Sequence, residues 1–256
     1  NIPSGVKVYG GFAGTETALN QRPSNLIGGG INATILSGDI GTPSVNTDNT
    51  HNLVRATNCA AGTVFDGFTV QDAFKNNGNY DAAGFTNKAN GANHTISITN
   101  CVFKNNVADV STVQAFGAML VYTQTAHTTN VSISNCVFAN NNGGSNGGAI
   151  YAFSSNASST TNCTVNNTLF YNNTAEIAGA ISYRLQSGTN GTMQVNNSTF
   201  VQNTASAFGK LTSWGSVGTF NINNAIIWDN AGSQTLFDGV TPNITYSNIQ
   251  QTTAGT

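Results

Sequence analysis

The chain has 256 residues, only 7% of them charged, and a formal net charge of −2. It therefore lacks the basic surface of a nucleic-acid-binding protein, and no run of about 18 apolar residues is present to form a transmembrane segment. Asn, Thr, Ser and Gly take the place of the charged residues, which make up about 25% of an average soluble domain, and this composition is typical of β-rich exported proteins.

Residues 1–61 show no regular repeat, although the alternation in residues 6–9 predicts an early strand. The chain begins at Asn1 with neither Met nor an apolar leader. We therefore expect a mature or excised segment of a secreted or cell-surface protein that works outside the cell.

A six-residue core recurs from residue 62 to residue 251. Its copies are residues 98–103, 133–138, 165–170, 195–200 and 222–227, with a variant at 65–70 and a weaker copy at 244–249. Their last residues lie 22 to 35 positions apart, within the interval of about 20–50 that indicates a repeat architecture. The cores begin with alternation, as in Ile96, Ser97 and Ile98, which predicts a half-buried strand.

A second strand is predicted after most cores, at residues 117–122, 148–153, 179–183 and 209–214. We therefore predict an all-β fold, a right-handed parallel β-helix (β-solenoid) of about seven to eight coils with three short strands each. It would be a single domain over 1–256, with irregular coils at 1–61, regular repeats at 62–251 and a tail at 252–256. Equivalent residues on successive coils should lie about 4.8 Å apart.

Three columns of repeated residues are predicted to support the coils. Two contain asparagine: Asn100, Asn135, Asn167, Asn197 and Asn224 inside the core, and Asn106, Asn141, Asn173, Asn203 and Asn230 after it. The third is Phe103, Phe138, Phe170 and Phe200. Asparagine tolerates a left-handed backbone, and stacked amides can form hydrogen bonds along a column, so we place both asparagine columns at structural corners. The phenylalanines are expected to stack in the core.

Cys101 and Cys136 occupy the same repeat position on successive coils, close enough for a disulfide. The alternative is a pair of buried thiols in a slot for small side chains, which Thr168, Ser198 and Ala225 continue.

Two short motifs recur in the repeats. Residues 103–106, 138–141, 170–173 and 200–203 have the pattern FxxN, and residues 147–150 read GGAI. In both motifs the chain resembles the repeat of polymorphic outer-membrane proteins. Residues 5–12 and 35–40 are similar to the opening of secreted pectate-lyase-like β-helix proteins of bacteria. The resemblance implies a surface-exposed or secreted protein, often an adhesin or self-associating.

The β-helix lyases of this resemblance cluster aspartates on neighbouring coils to bind calcium and use Arg or Lys as a base. Asp39, Asp48, Asp66 and Asp72 could converge here, with Arg55 and Lys75 as the nearest basic residues. Because no acidic column repeats on consecutive coils, the alternative is that these are scattered surface residues. A structural calcium ion at Asp39 or Asp48 is the only cofactor considered; otherwise none is expected.

A sugar-binding surface could form from aromatic residues of the second strand, namely Tyr122, Tyr151, Tyr183 and Trp214, if some of them point outward. Packing inside the protein is the alternative. The preferred hypothesis is a non-catalytic extracellular structural or adhesive protein that binds a surface glycan or protein, or whose copies stack end to end into a fibre, since neither end shows an evident cap. The alternative is a carbohydrate-binding or polysaccharide-lyase-like module.

Overall fold

The structure, a computed structural model, describes residues 1–23, 25–109, 115–186, 189–208, 212–214, 218–230, 236–239 and 242–250. The predicted tail at 252–256 and residues 209–211 of an expected strand lie outside this part of the chain. The all-β parallel β-helix is confirmed. Its regular part has about five turns, slightly fewer than the seven to eight coils expected.

Each turn of the backbone passes through three parallel sheets. The first sheet contains Lys7–Tyr9, Val64–Asp66, His94–Thr99, Thr128–Ser134, Thr160–Asn166, Thr192–Asn196, Thr219–Asn223 and Asn243–Thr245. The second contains Thr34–Ser37, Phe68–Gln71, Val102–Lys104, Val137–Ala139, Leu169–Tyr171, Thr199–Val201, Ile226–Trp228 and Asn248–Ile249. The third contains Val54–Thr57, Phe85–Ala89, Met119–Thr123, Ile150–Ser154, Ile181–Leu185, Thr212–Trp214 and Phe237–Asp238.

Shorter elements lie between these sheets. Phe74–Lys75 pairs with Val107–Ala108, and Thr174–Ile177 pairs with Thr204–Phe208. Three 3₁₀ helices, Leu19–Gln21, Ile27–Gly29 and Asn46–Asp48, lie in the long loops of the first turn.

Alternation along the strands separates the core from the surface. In His94–Thr99, Ile96 and Ile98 are buried, whereas Thr95 and Ser97 are partly exposed. The strands pair in register, so Ile98 lies beside Ile133 and Ile133 beside Val165. Buried apolar side chains from Ile2 to Ile227 consequently form one continuous core along the axis.

The glycines that begin the Gly-Ala segments are required by close packing between turns. A Cβ atom on Gly117 would lie 2.1 Å from the carbonyl oxygen of Gly148, and one on Gly148 would lie 2.1 Å from that of Gly179. A side chain at either position would therefore force successive turns apart, immediately before the strands of the third sheet.

An ion pair holds the first long loop against the regular repeats. The Arg22 guanidinium lies 3.1 Å from the Asp66 carboxylate and donates to the Gly10 carbonyl at 3.0 Å. Asp66 also accepts a hydrogen bond from the Asn100 amide at 2.9 Å. The Asp66 carboxylate therefore has a structural role, since it is paired by two groups distant in sequence, the Arg22 guanidinium and the Asn100 amide.

Candidate functional site

The asparagines that follow each core form a buried ladder. Each Nδ2 donates to the Oδ1 of the next turn, from Asn106 to Asn141 at 3.1 Å, Asn141 to Asn173 at 2.9 Å, Asn173 to Asn203 at 2.9 Å and Asn203 to Asn230 at 3.1 Å. Nδ2 also donates to a phenylalanine carbonyl of the preceding turn, as from Asn141 to Phe103 at 2.9 Å. The ladder satisfies backbone groups at a corner where strand pairing is interrupted.

The left-handed backbone predicted for these ladder asparagines lies one residue earlier in the chain. The left-handed conformation belongs to the residue before each ladder asparagine: Asn105, Asn140, Asn172, Gln202 and Asp229, with φ between 51° and 57°. Those side chains point to solvent, which leaves the following asparagine free to point inward.

The asparagines at the third position of the six-residue repeat do take the left-handed conformation. Asn100, Asn135, Asn167, Asn197 and Asn224 have φ between 49° and 53°, at the corner between the first and second sheets. Some of their amides bond along the column, as from Asn224 to Asn197 at 2.6 Å.

The phenylalanine column stacks along the axis inside the core. The ring centroids of Phe103 and Phe138 are 4.8 Å apart, those of Phe138 and Phe170 are 5.3 Å apart, and those of Phe170 and Phe200 are 4.6 Å apart. All four rings are fully buried.

The cysteines at equivalent positions are free thiols in this structure. Cys101 and Cys136 are both buried, and their sulfurs donate to the carbonyls of Thr99 and Ser134 at 3.1 and 3.2 Å. The backbone N–H of Cys101 donates to the sulfur of Cys136 at 3.4 Å. The arrangement is the small-side-chain slot and not a disulfide. Burial raises the pKa of the Cys101 thiol well above its usual value.

The two aspartates proposed to bind calcium face different surroundings. Asp39 lines a cavity of about 330 Å³ with Asp72, Asn46 and Asn49. Asp48 is outside this lining, and its carboxylate accepts the Thr42 N–H at 2.8 Å. In the described ranges no group of three or more His, Cys, Asp or Glu side chains is placed to hold a metal ion. The calcium site stays a prediction.

The basic residues considered for catalysis are engaged elsewhere. Arg55 forms an ion pair with Asp81 at 2.5 Å beside a cavity of about 410 Å³. Lys75 is buried and donates to the Asn77 carbonyl at 2.6 Å, and burial lowers its pKa to about 8. These groups and the cavity with Asp39 therefore form separate polar sites.

The aromatic residues of the third sheet do not form an open platform. Tyr122 and Tyr151 point outward but are buried in a second apolar cluster with Phe116 and Phe153. Tyr80 stacks on Tyr122, with ring centroids 5.5 Å apart. By contrast, Tyr183 is in the main core. The side chain of Trp214 is outside the described part of the structure.

Exposed aromatic residues lie instead on the second sheet, for which the sequence patterns had predicted no binding surface. The outward residues of four consecutive strands form what we term the apolar strip: Val137, Ala139, Leu169, Tyr171, Thr199, Val201, Ile226 and Trp228. Tyr171 is 39% exposed, Trp228 49% and Ile226 51%. The signal was present in part, since the residue before the last position of the core is apolar in four copies and threonine in one: Val102, Val137, Leu169, Ile226 and Thr199.

The outer face of the first sheet is also uncharged, but polar. Its outward residues from His94–Thr99 to Thr219–Asn223 are threonine, serine, asparagine and glutamine only. They form hydrogen bonds between turns, as from Asn162 to Asn130 at 2.9 Å and from Asn196 to Asn166 at 2.8 Å. Together with the apolar strip, this gives two adjacent faces of opposite polarity and almost no charge.

No family model, curated protein or solved structure matches the chain. Within the described residues no helix is long and apolar enough to cross a membrane. The chemistry of the outer faces is therefore the feature of the molecule that bears on function.

One buried histidine has a strongly shifted pKa. His94 is fully buried at the start of its strand, and its Nδ1 accepts the backbone N–H of Cys59 at 3.1 Å. Its Nε2 is buried and has no hydrogen-bond partner among the described residues. Burial lowers the pKa of His94 to about 4, so the ring is neutral in the folded protein near pH 7.

Proposed function

We propose that the protein is a non-catalytic extracellular adhesive or structural protein, exported to the cell surface or secreted, that contacts other surfaces through its lateral faces. One observation carries the proposal. From His94 to Trp228, the outward strand residues of the first and second sheets include a single charged side chain, Lys104.

Such a surface favours adhesion for a physical reason. Charged side chains are strongly hydrated and repel like-charged surfaces, whereas low net charge promotes association. Amides, hydroxyls and apolar groups can exchange their contacts with water for contacts with another surface without leaving an unpaired charge buried. The similarity of the FxxN and GGAI segments to polymorphic outer-membrane protein repeats supports the same proposal.

End-to-end stacking of copies is a further part of this proposal. Within the described residues, the outermost strands of the sheets, such as Lys7–Tyr9 and Asn243–Thr245, pair on one side only. An unpaired parallel edge can accept the edge of another copy, and a contact that does not close produces a fibre.

Adhesion of protein-coated beads to bacterial and host cells tests the proposal. We expect coated beads to adhere more than albumin-coated beads, with little loss between about 0.1 and 1 M salt, because few charges take part. Replacement of Ser132 and Thr164 by lysine adds charge to the outer face of the first sheet. Beads coated with this variant should adhere less than beads coated with the wild type. Adhesion equal to that of albumin-coated beads would contradict the proposal.

A further inference from the structure

We infer that the apolar strip binds an extended, neutral β-1,4-linked polysaccharide lying along the helix axis. This inference rests on the proposed adhesive function and names its ligand. The strip is continuous over four turns, since Val137 pairs with Leu169, Leu169 with Thr199 and Thr199 with Ile226. A surface that repeats at every turn suits a ligand that also repeats.

Two exposed rings provide stacking surfaces on the strip. Tyr171 pairs in register with Val201, which pairs with Trp228, so the rings belong to turns two rungs apart, a rise of about 9.5 Å. In an extended β-1,4-linked chain, every second sugar ring presents the same face, and two rungs correspond to about that repeat. The smaller Val201 leaves room between the two rings.

Amide side chains flank the strip on both sides. One margin carries Asn135, Asn167, Asn197 and Asn224, and the other carries Asn140, Asn172 and Gln202, followed by the carboxylate of Asp229; all are exposed. Each amide has two N–H donors and an acceptor oxygen, more than its ladder bonds use, such as that from Asn172 to Asn140 at 2.8 Å. A sugar ring has an apolar face and hydroxyl groups at its edges, which matches an apolar strip between amide margins.

The charge distribution favours a neutral glycan over an acidic one. Along the strip and its margins, Asp229 is the one charged residue, and Lys104 lies just beyond, on the preceding turn. An acidic polysaccharide would meet no cation on the strip. A second copy of the chain would bury the margin amides against apolar residues or against each other, at a cost in desolvation.

The test uses the full chain and named polysaccharides. Depletion of the protein from solution by microcrystalline cellulose and by chitin should saturate and should persist at 1 M salt, which is the expected response of uncharged contacts. Tyr171→Ala with Trp228→Ala should weaken binding about tenfold or more, since each lost stacking contact removes part of the interaction energy. Both rings are only partly buried, so the double variant should keep the wild-type fold and a single cooperative melting transition.

A double variant at exposed positions outside the first and second sheets, Glu176→Gln with Ser206→Ala, should bind like the wild type. Binding that is unaffected by loss of the two rings, or binding only to polygalacturonate with strong salt dependence, would overturn the inference. Wild-type dimers that the double variant converts to monomers would assign the strip to a second copy instead.

Bead adhesion, measured in parallel, separates this inference from the proposed function. Adhesion without binding to either polysaccharide would reject the glycan and keep an adhesive protein with a different partner. Absence of both adhesion and polysaccharide binding would reject the proposed adhesive function together with the glycan inference.

Discussion

His94 shows how one buried side chain should make stability depend on pH. Its folded pKa of about 4 is below the ordinary value of 6.5, so between these values the unfolded chain binds a proton that the folded chain does not. The contribution of neutral His94 to the free energy of unfolding is therefore fully present above about pH 6.5. It is lost as the pH falls toward 4, by up to about 3 kcal/mol.

His94→Gln should remove this dependence, because glutamine can accept the Cys59 N–H and does not titrate. Urea unfolding of both proteins at pH 7 and pH 4.5 measures the difference. His51→Gln, at an exposed position, is the control for loss of an imidazole. Equal pH dependence in His94→Gln and the wild type would contradict the prediction.

At the scale of elements, the inner asparagine ladder joins successive turns. Asn141 donates to Phe103 and Asn173, and its Oδ1 accepts both the side-chain and the backbone N–H of Asn106. Asn141→Ala leaves these buried groups without partners and should lower the free energy of unfolding by about 2–3 kcal/mol.

The matched control for the ladder is Asn130→Ala. Asn130 is exposed on the outer face of the first sheet, and within the described part of the chain its side chain makes one hydrogen bond, which it accepts from Asn162 at 2.9 Å. Its loss should cost less than about 0.5 kcal/mol in a urea titration. Similar losses in the two variants would show that burial of the ladder does not contribute its expected stability.

The repeats also explain where element prediction succeeded. Alternation and the spacing of the cores correctly indicated strands such as Thr128–Ser134 and Thr160–Asn166, because the side-chain period of two is local to the chain. After the second sheet, the left-handed turn residue is Asn140 and not Asn141, which the spacing had predicted. The two residues are identical in type, and only burial distinguishes them.

At the scale of the whole molecule, each turn contacts its neighbours, so stability should vary along the axis. Thr128–Ser134 and Thr160–Asn166 pair on both sides, whereas Lys7–Tyr9 and Asn243–Thr245 pair on one side only in the described chain. Hydrogen exchange followed by mass spectrometry should find the slowest exchange in the two central strands and the fastest in the outermost two. Equal protection in dilute solution would contradict this gradient for a single copy, and protection of the outer strands that rises with concentration would indicate stacking.

The sequence by itself determined the winding of the chain, the inward and outward sides of the regular strands, and the columns of asparagine and phenylalanine. These properties depend on the spacing of residues along one repeat, which is visible in the chain. Tertiary structure decided which outer face is open. Tyr122 and Tyr151 are covered by Tyr80 and Phe116 from loops of earlier turns, whereas Tyr171 and Trp228 remain exposed. The path of a loop across neighbouring turns depends on contacts distant in sequence, so no local pattern could assign the aromatic residues to the covered face or the open one.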